Sequence, residues 1–202
     1  MKLIVIISGN GSNFKSLYNS SSVYGYEISK IISSSNNALG NDFAIKNNIN
    51  LSVINRKDYD NKKIFEDSLL KSIFDIDFDI ICLAGFMYIL SQDFIEYIYK
   101  MHKKIINIHP SLLPSFKGLN AQKQAFEAGV TIAGCTVHHV DQYLDNGEII
   151  LQGAVPVLSD DTMESLRERI LKMEHLCYPK AIAKLMGIHK NNDSLFYNIL
   201  PK

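Results

Sequence analysis

Along the first two-thirds of the chain, short isoleucine-, leucine- and valine-rich runs alternate with segments whose apolar residues recur every three or four positions. The runs "KLIVII", "YEISKIISS", "LSVINR", "DIICLAG" and "KIINIH" read as strands. Between and after them, "SNFKSLYNS", "GNDFAIKNNI", "YDNKKIFEDSLLKSIF", "SQDFIEYIYK" and "AQKQAFEAG" read as helices. Strands apolar on both faces, each followed by a helix, are the pattern of a parallel sheet covered on both sides. The expected fold is α/β and Rossmann-like. Beyond Gly129 the order changes, because "TIAGCTVHHV" and "GEIILQGAVPV" follow one another with no helix between, which predicts an antiparallel C-terminal portion. A last long helix is expected from near Asp161, with Glu164 as its capping-box partner. Leu166, Ile170, Met173 and Cys177 fall on one face of it. Residues 188–202 read as an irregular tail.

Composition narrows the class. A chain of 202 residues fits one domain, here residues 1–187, and its 21 basic and 21 acidic residues leave no net charge. A nucleic-acid or membrane-surface binder usually carries a basic excess, so neither partner is expected. The first apolar run, "LIVII", is shorter than the roughly 7–15 residues of a signal-peptide core or the about 20 of a membrane span. A cytoplasmic protein is the expectation. Cys82, Cys135 and Cys177 stand singly, without zinc-ligand spacing and in odd number, so they read as buried free thiols and no metal is expected.

Two places carry chemistry. The first is "LIVIISGNGSNFKSL", a strand, a glycine turn and a helix, in which Gly9 and Gly11 let main-chain N–H groups and the helix dipole face an anion. A plain strand-to-helix turn accounts for the same residues. Phe14 stands where a dinucleotide fingerprint needs glycine or alanine, and "IISSSNN" offers no carboxylate after the second strand. With no G-K-[ST] either, a single terminal phosphate fits better than a dinucleotide or a nucleoside triphosphate.

The second is "KIINIHPSLLPS". Asn107 and His109, two apart on a strand, share one face at its carboxyl end, where open α/β sheets bind ligands. An amide donor beside an imidazole suits stabilisation of a growing oxyanion and proton transfer. A histidine there also ends strands by bonding to a neighbouring loop. Asp145 lies in the turn "LDNG", a common structural motif, but folded over His109 its carboxylate would favour the charged ring. His138 and His139 point to opposite faces of their strand, and one of them falls near such a site.

Together "SGNGSN", "AGFMYILS", "NIHPSLLPSFKG", "TVHHVDQYLDNGEIILQ" and "EHLCYP", in this order, resemble the folate-dependent phosphoribosylglycinamide formyltransferase family over residues 1–187. "HPSLLP" marks formyltransferases in general; "SGNGSN" joined to "EH…YP" marks this member. The resemblance implies a phosphate-binding N-terminal half and a folate-binding, catalytic C-terminal half. By it, Gly11, Ser12 and Asn13 hold the ribonucleotide phosphate and Glu174 holds the ribose. Met87, Tyr88, Ile89 and Leu90 line the pterin pocket of 10-formyltetrahydrofolate, with Asn107 beside it. Val140 and Asp141 open a folate loop, Asn107, His109 and Asp145 form the catalytic trio, and Leu113–Pro114 is a candidate cis bond. Tyr88 and Lys62 stand where the family usually has arginine, so Lys62 is a weaker folate ligand than the pattern implies.

The implied reaction moves a formyl group from 10-formyltetrahydrofolate, the co-substrate, to the amine of glycinamide ribonucleotide in purine biosynthesis, on a monomer or homodimer. Two rivals share the fold. Methionyl-tRNA formyltransferases carry a further tRNA-binding domain and a basic surface, and formyltetrahydrofolate deformylases an N-terminal regulatory domain. This chain is neutral and expected to have neither. A non-catalytic phosphosugar-binding module is a third reading, disfavoured because all three residues of the trio are present.

Overall fold

Strand β1 (Lys2–Ile7) explains the apolar start of the chain: residues from Leu3 to Ile7 are all buried. It pairs in parallel with β2 (Glu27–Ser33) on one side and β4 (Ile80–Leu83) on the other. Outside these, β3 (Leu51–Val53) pairs with β2, and β5 (Lys104–His109) pairs with β4, again in parallel. The computed structural model describes residues 1–188 and divides at Asn107 into two compact units. Residues 189–202 of the expected tail lie outside the described residues.

The first unit, Met1–Asn107, carries helices α1 (Ser12–Tyr24), α2 (Leu39–Lys46), α3 (Lys62–Ile73) and α4 (Gln92–Lys100) between its strands. Local chemistry sets the starts of α3 and α4. Asn61 accepts the Ile64 N–H at 3.0 Å and Ser91 the Phe94 N–H at 3.2 Å, each satisfying a first-turn donor. "LSVINR" is shortened to a three-residue strand followed by a short 3-10 turn at Arg56–Asp58.

In the second unit, α5 (Ala121–Glu127) precedes β6 (Ile132–His139) and β7 (Ile149–Pro156), which pair antiparallel as the missing helix between them predicts. Helix α6 (Met163–Leu185) packs on both strands and buries Leu166, Ile170, Met173 and Cys177 along the expected face. All three cysteines are buried and none is in a disulfide bond. The Leu113–Pro114 peptide bond is cis.

One boundary differs from expectation. The capping box of α6 is formed by Thr162 and Ser165, each side chain accepting the other's backbone N–H, and not by Asp161 with Glu164. Asp161 is drawn elsewhere: both its oxygens take hydrogen bonds from Arg169, at 2.6 and 2.7 Å, and it also accepts the Leu158 N–H. Two parallel charge-assisted bonds from a planar guanidinium are strong and fix the orientation of the carboxylate.

These bonds from Arg169 hold the Asp161 carboxyl well below the usual carboxylate range. A depressed folded-state value stabilises above the unfolded value of about 3.9 and is lost as pH falls. Asp161→Asn should therefore lower the urea midpoint at pH 7, with the gap from wild type closing progressively below about pH 4.

Candidate active site

Ser8 to Gly11 turn the chain out of β1 and into α1. Gly11 occupies the N-cap position of α1 in the left-handed conformation (φ 68°, ψ 26°) and supplies no side-chain cap. The first-turn N–H groups are thus presented by a residue with nothing to fold back over them, as an anion cradle requires. Asn13, in that turn, is buried. Gly40 holds the turn from behind. Its N–H donates to Gly9 O at 3.2 Å, and a Cβ on Gly11 would lie 2.9 Å from the Gly40 Cα. A Cβ on Gly40 would strike the Ile7 side chain. In the sequence Gly40 is marked only as a glycine near the start of a helix.

Register brings Asn107 to the same edge of the first unit. Ile6 pairs with Leu83, and Leu83 with Asn107, so Asn107 stands in the row of Ile6, one residue before the end of β1. Past β4 comes the segment expected to meet a pterin. Met87 and Ile89 are each 64% exposed, an apolar surface that folding leaves uncovered, while Leu90 is buried. Tyr88 packs edge-on against Phe65 and Phe86, at 5.9 and 5.6 Å between ring centres. Lys62 lies 4.0 Å from Glu66, whose buried carboxylate accepts the Ser91 N–H at 2.7 Å and the Ser91 hydroxyl. These three line a cavity of about 420 Å³ with Phe94 and Tyr97. Lys62 is therefore near the end of the 87–90 segment, with part of its charge directed to Glu66.

In the second unit, His109 and Asp145 meet. His109 Nδ1 lies 3.4 Å from Asp145 Oδ2, and both side chains are more than nine-tenths buried. His109 Nε2 is 2.9 Å from the Phe116 carbonyl, which can only accept. An imidazole protonated on both nitrogens thus has an acceptor on each side. His109 thus bonds a neighbouring loop through one nitrogen and faces Asp145 with the other. Asp145 Oδ2 also accepts the Gly118 N–H at 2.8 Å, and Lys117 reaches Asn146 at 2.8 Å. The loop from Phe116 to Gly118 is clipped to both members of the pair, though "SFKG" offered only its glycine as a hint. Asp145 and Phe116 have φ of 45° and 54°, a sparsely populated backbone region often held at functional sites.

His138 is the histidine near the pair. Its Nε2 lies 3.8 Å from Asp145 Oδ1, and its Nδ1 donates to the His139 carbonyl at 2.8 Å. Asp141 accepts the Tyr143 N–H and the Asn146 amide, shaping the loop that carries Asp145, with Val140 half-buried before it. Glu174, the expected ribose ligand, is a buried carboxylate on α6. The residues expected to bind folate divide between the units: Lys62, residues 87–90 and Asn107 in the first, Val140 and Asp141 in the second. Among the described residues, no group of three or more His, Cys, Asp or Glu is placed to hold a metal ion, and no helix is long and apolar enough to cross a membrane.

The chain is similar to known proteins along most of its length. The formyl transferase family matches residues 1–182. Phosphoribosylglycinamide formyltransferase of Bacillus subtilis (strain 168) is 36% identical, over 95% of this chain and 98% of its own length. The trifunctional purine biosynthetic protein adenosine-3 of Bos taurus is 46% identical over 90% of this chain, which spans only 18% of that longer protein. A crystal structure of phosphoribosylglycinamide formyltransferase from Anaplasma phagocytophilum superposes with a TM-score of 0.83 at 48% identity, covering 92% of this chain and 86% of that one.

Burial, opposed by the bond to His139 and the charge of Asp145, lowers the pKa of His138. In an NMR titration the His138 ring should be neutral at pH 7, protonated on Nδ1, and titrate below the ordinary value of about 6.5. A ring charged at pH 7 contradicts this assignment.

Proposed function

The chain belongs to the phosphoribosylglycinamide formyltransferases of the formyl transferase family, and from that premise we propose that it transfers a formyl group from 10-formyltetrahydrofolate to the amine of glycinamide ribonucleotide. The observation that carries this reading is the buried His109–Asp145 pair, 3.4 Å apart. The nucleotide phosphate sits on the turn of Gly11, Ser12 and Asn13, whose glycine cap leaves the helix start open to an anion. Glu174 accepts hydrogen bonds from the ribose hydroxyls. The folate lies along residues 87–90, supported by Lys62, Val140 and Asp141. The work is that of a cytoplasmic enzyme of purine biosynthesis.

The chemistry is a direct transfer by addition and elimination. The amine nitrogen attacks the formyl carbon and negative charge grows on the formyl oxygen. The Asn107 amide and the protonated His109 donate to that oxygen, and Asp145 compensates the ring's positive charge. His109 Nε2–H, which rests on the Phe116 carbonyl, is the donor that the oxyanion takes over. As the tetrahedral species collapses, the bond to the folate nitrogen breaks. The proton lost by the attacking nitrogen passes through Asp145 and a water to that departing nitrogen, so charge and atoms balance. Holding both reactants in one site removes the entropic cost of their meeting.

The test is to mix protein, glycinamide ribonucleotide and 10-formyltetrahydrofolate and follow tetrahydrofolate release; release that persists without the ribonucleotide identifies hydrolysis instead of transfer. Asn107→Ala should lower kcat by about 10²–10³, the cost of one oxyanion donor. Asp145→Asn should lower kcat far more than it raises the ribonucleotide KM. Equal losses in both parameters remove the transition-state role assigned to the aspartate.

A further inference from the structure

A chain of hydroxyls lies beneath the first unit's ligand edge. The Met87 N–H donates to Ser8 Oγ at 3.0 Å, and Ser8 Oγ lies 2.7 Å from Ser34 Oγ. The direction of the hydrogens follows from the acceptors. Ser34 Oγ is 3.3 Å from the Ile7 carbonyl, which can only accept, so Ser34 donates there. Ser8 must then donate to Ser34, which leaves a Ser8 lone pair for the Met87 N–H. Ser34 is buried, so water does not compete for this orientation. Hydrogen bonds aligned in this sense strengthen one another.

Ser8 is also the first residue of the glycine turn, and its own N–H donates to the Gly85 carbonyl at 3.2 Å. Its main chain and side chain therefore each hold one point of the segment that carries Met87, Tyr88 and Ile89. The far end of that segment is held by Ser91 on Glu66. Between the two clamps the apolar side chains stay exposed while their backbone is held.

We infer that Ser8 is a positioning residue that couples the two substrates: it holds the backbone of residues 87–90 in register with the phosphate-binding turn, so that filling the turn tightens folate binding. The inference rests on the folate role proposed for residues 87–90. A phosphate on the turn restrains Ser8, Ser8 restrains Met87, and the segment loses less freedom when the folate arrives. By linkage the folate tightens ribonucleotide binding by the same factor.

The experiment compares wild type, Ser8→Ala, Ser8→Thr and Ser34→Ala. It measures KM for each substrate, kcat, the melting temperature, and tetrahydrofolate Kd by calorimetry with and without saturating glycinamide ribonucleotide. Ser8→Ala should raise the folate KM roughly threefold to tenfold, as expected for one lost hydrogen bond, with a much smaller change in kcat. The ribonucleotide should tighten tetrahydrofolate binding in wild type, and that factor should shrink towards one in Ser8→Ala. Ser8→Thr, which keeps the hydroxyl, should recover most of the loss. Ser34→Ala, which keeps the Ser8 hydroxyl but frees its rotation, should give a smaller shift in the same direction. An unchanged folate KM in Ser8→Ala, or a ribonucleotide factor equal to one in wild type, overturns the inference. Should Ser8→Ala fail to fold, an unchanged folate KM in Ser34→Ala overturns it. A wild-type protein that neither binds tetrahydrofolate nor transfers a formyl group overturns the functional reading itself.

Discussion

The second unit is organised around the need to hold the Asp145 carboxylate out of water. A buried charge is costly unless hydrogen-bonded and paired, and Asp145 is more than nine-tenths buried. Two groups answer that need, the Gly118 N–H at 2.8 Å and His109 at 3.4 Å, while His138 lies 3.8 Å away. The two histidines are not equivalent. His138 gives its Nδ1 hydrogen to a carbonyl and its burial disfavours charge. His109 faces acceptors at both nitrogens. The same carboxylate thus has two histidine neighbours in different surroundings, and burial disfavours charge on His138.

The backbone of the two loops is part of this arrangement. Left-handed φ at Phe116 and Asp145 persists because each loop is held at more than one point. Phe116 O bonds His109, Gly118 N bonds Asp145, Lys117 bonds Asn146, and Asp141 bonds Tyr143 and Asn146. Such cross-bracing fixes the pair better than any single contact, which the proposed function requires because misplacement by about 1 Å is costly to rate.

The strands and most helices were legible in the sequence because burial on both faces writes continuous apolar runs, as in "LIVII" and "IIC". Asn107 and His109 were legible as polar residues interrupting such a run. What the sequence did not disclose depends on tertiary competition or on the main chain. Asp161 looked like a helix cap until Arg169, two turns along α6, took its carboxylate. Gly40 matters through its lack of a Cβ against the glycine turn, and the Phe116 carbonyl and Gly118 N–H are backbone groups that every residue shares. A pattern of side chains cannot single out groups of that kind.

The departures at Tyr88 and Lys62 acquire a physical meaning from their surroundings. Tyr88 joins Phe65 and Phe86 in one aromatic cluster, which extends through Phe65 to Tyr59. A ring so placed contributes shape and apolar contact where a guanidinium would contribute a directed charge. Lys62 adds an ammonium nearby, but Glu66, 4.0 Å away, offsets part of its field and is itself committed to Ser91. With the cation partly offset and Met87 and Ile89 uncovered, this stretch presents an apolar surface more than a directed positive charge. In the proposed function the hold on the folate then comes chiefly from its pterin end, and the contribution of its glutamate tail is small and screened by salt.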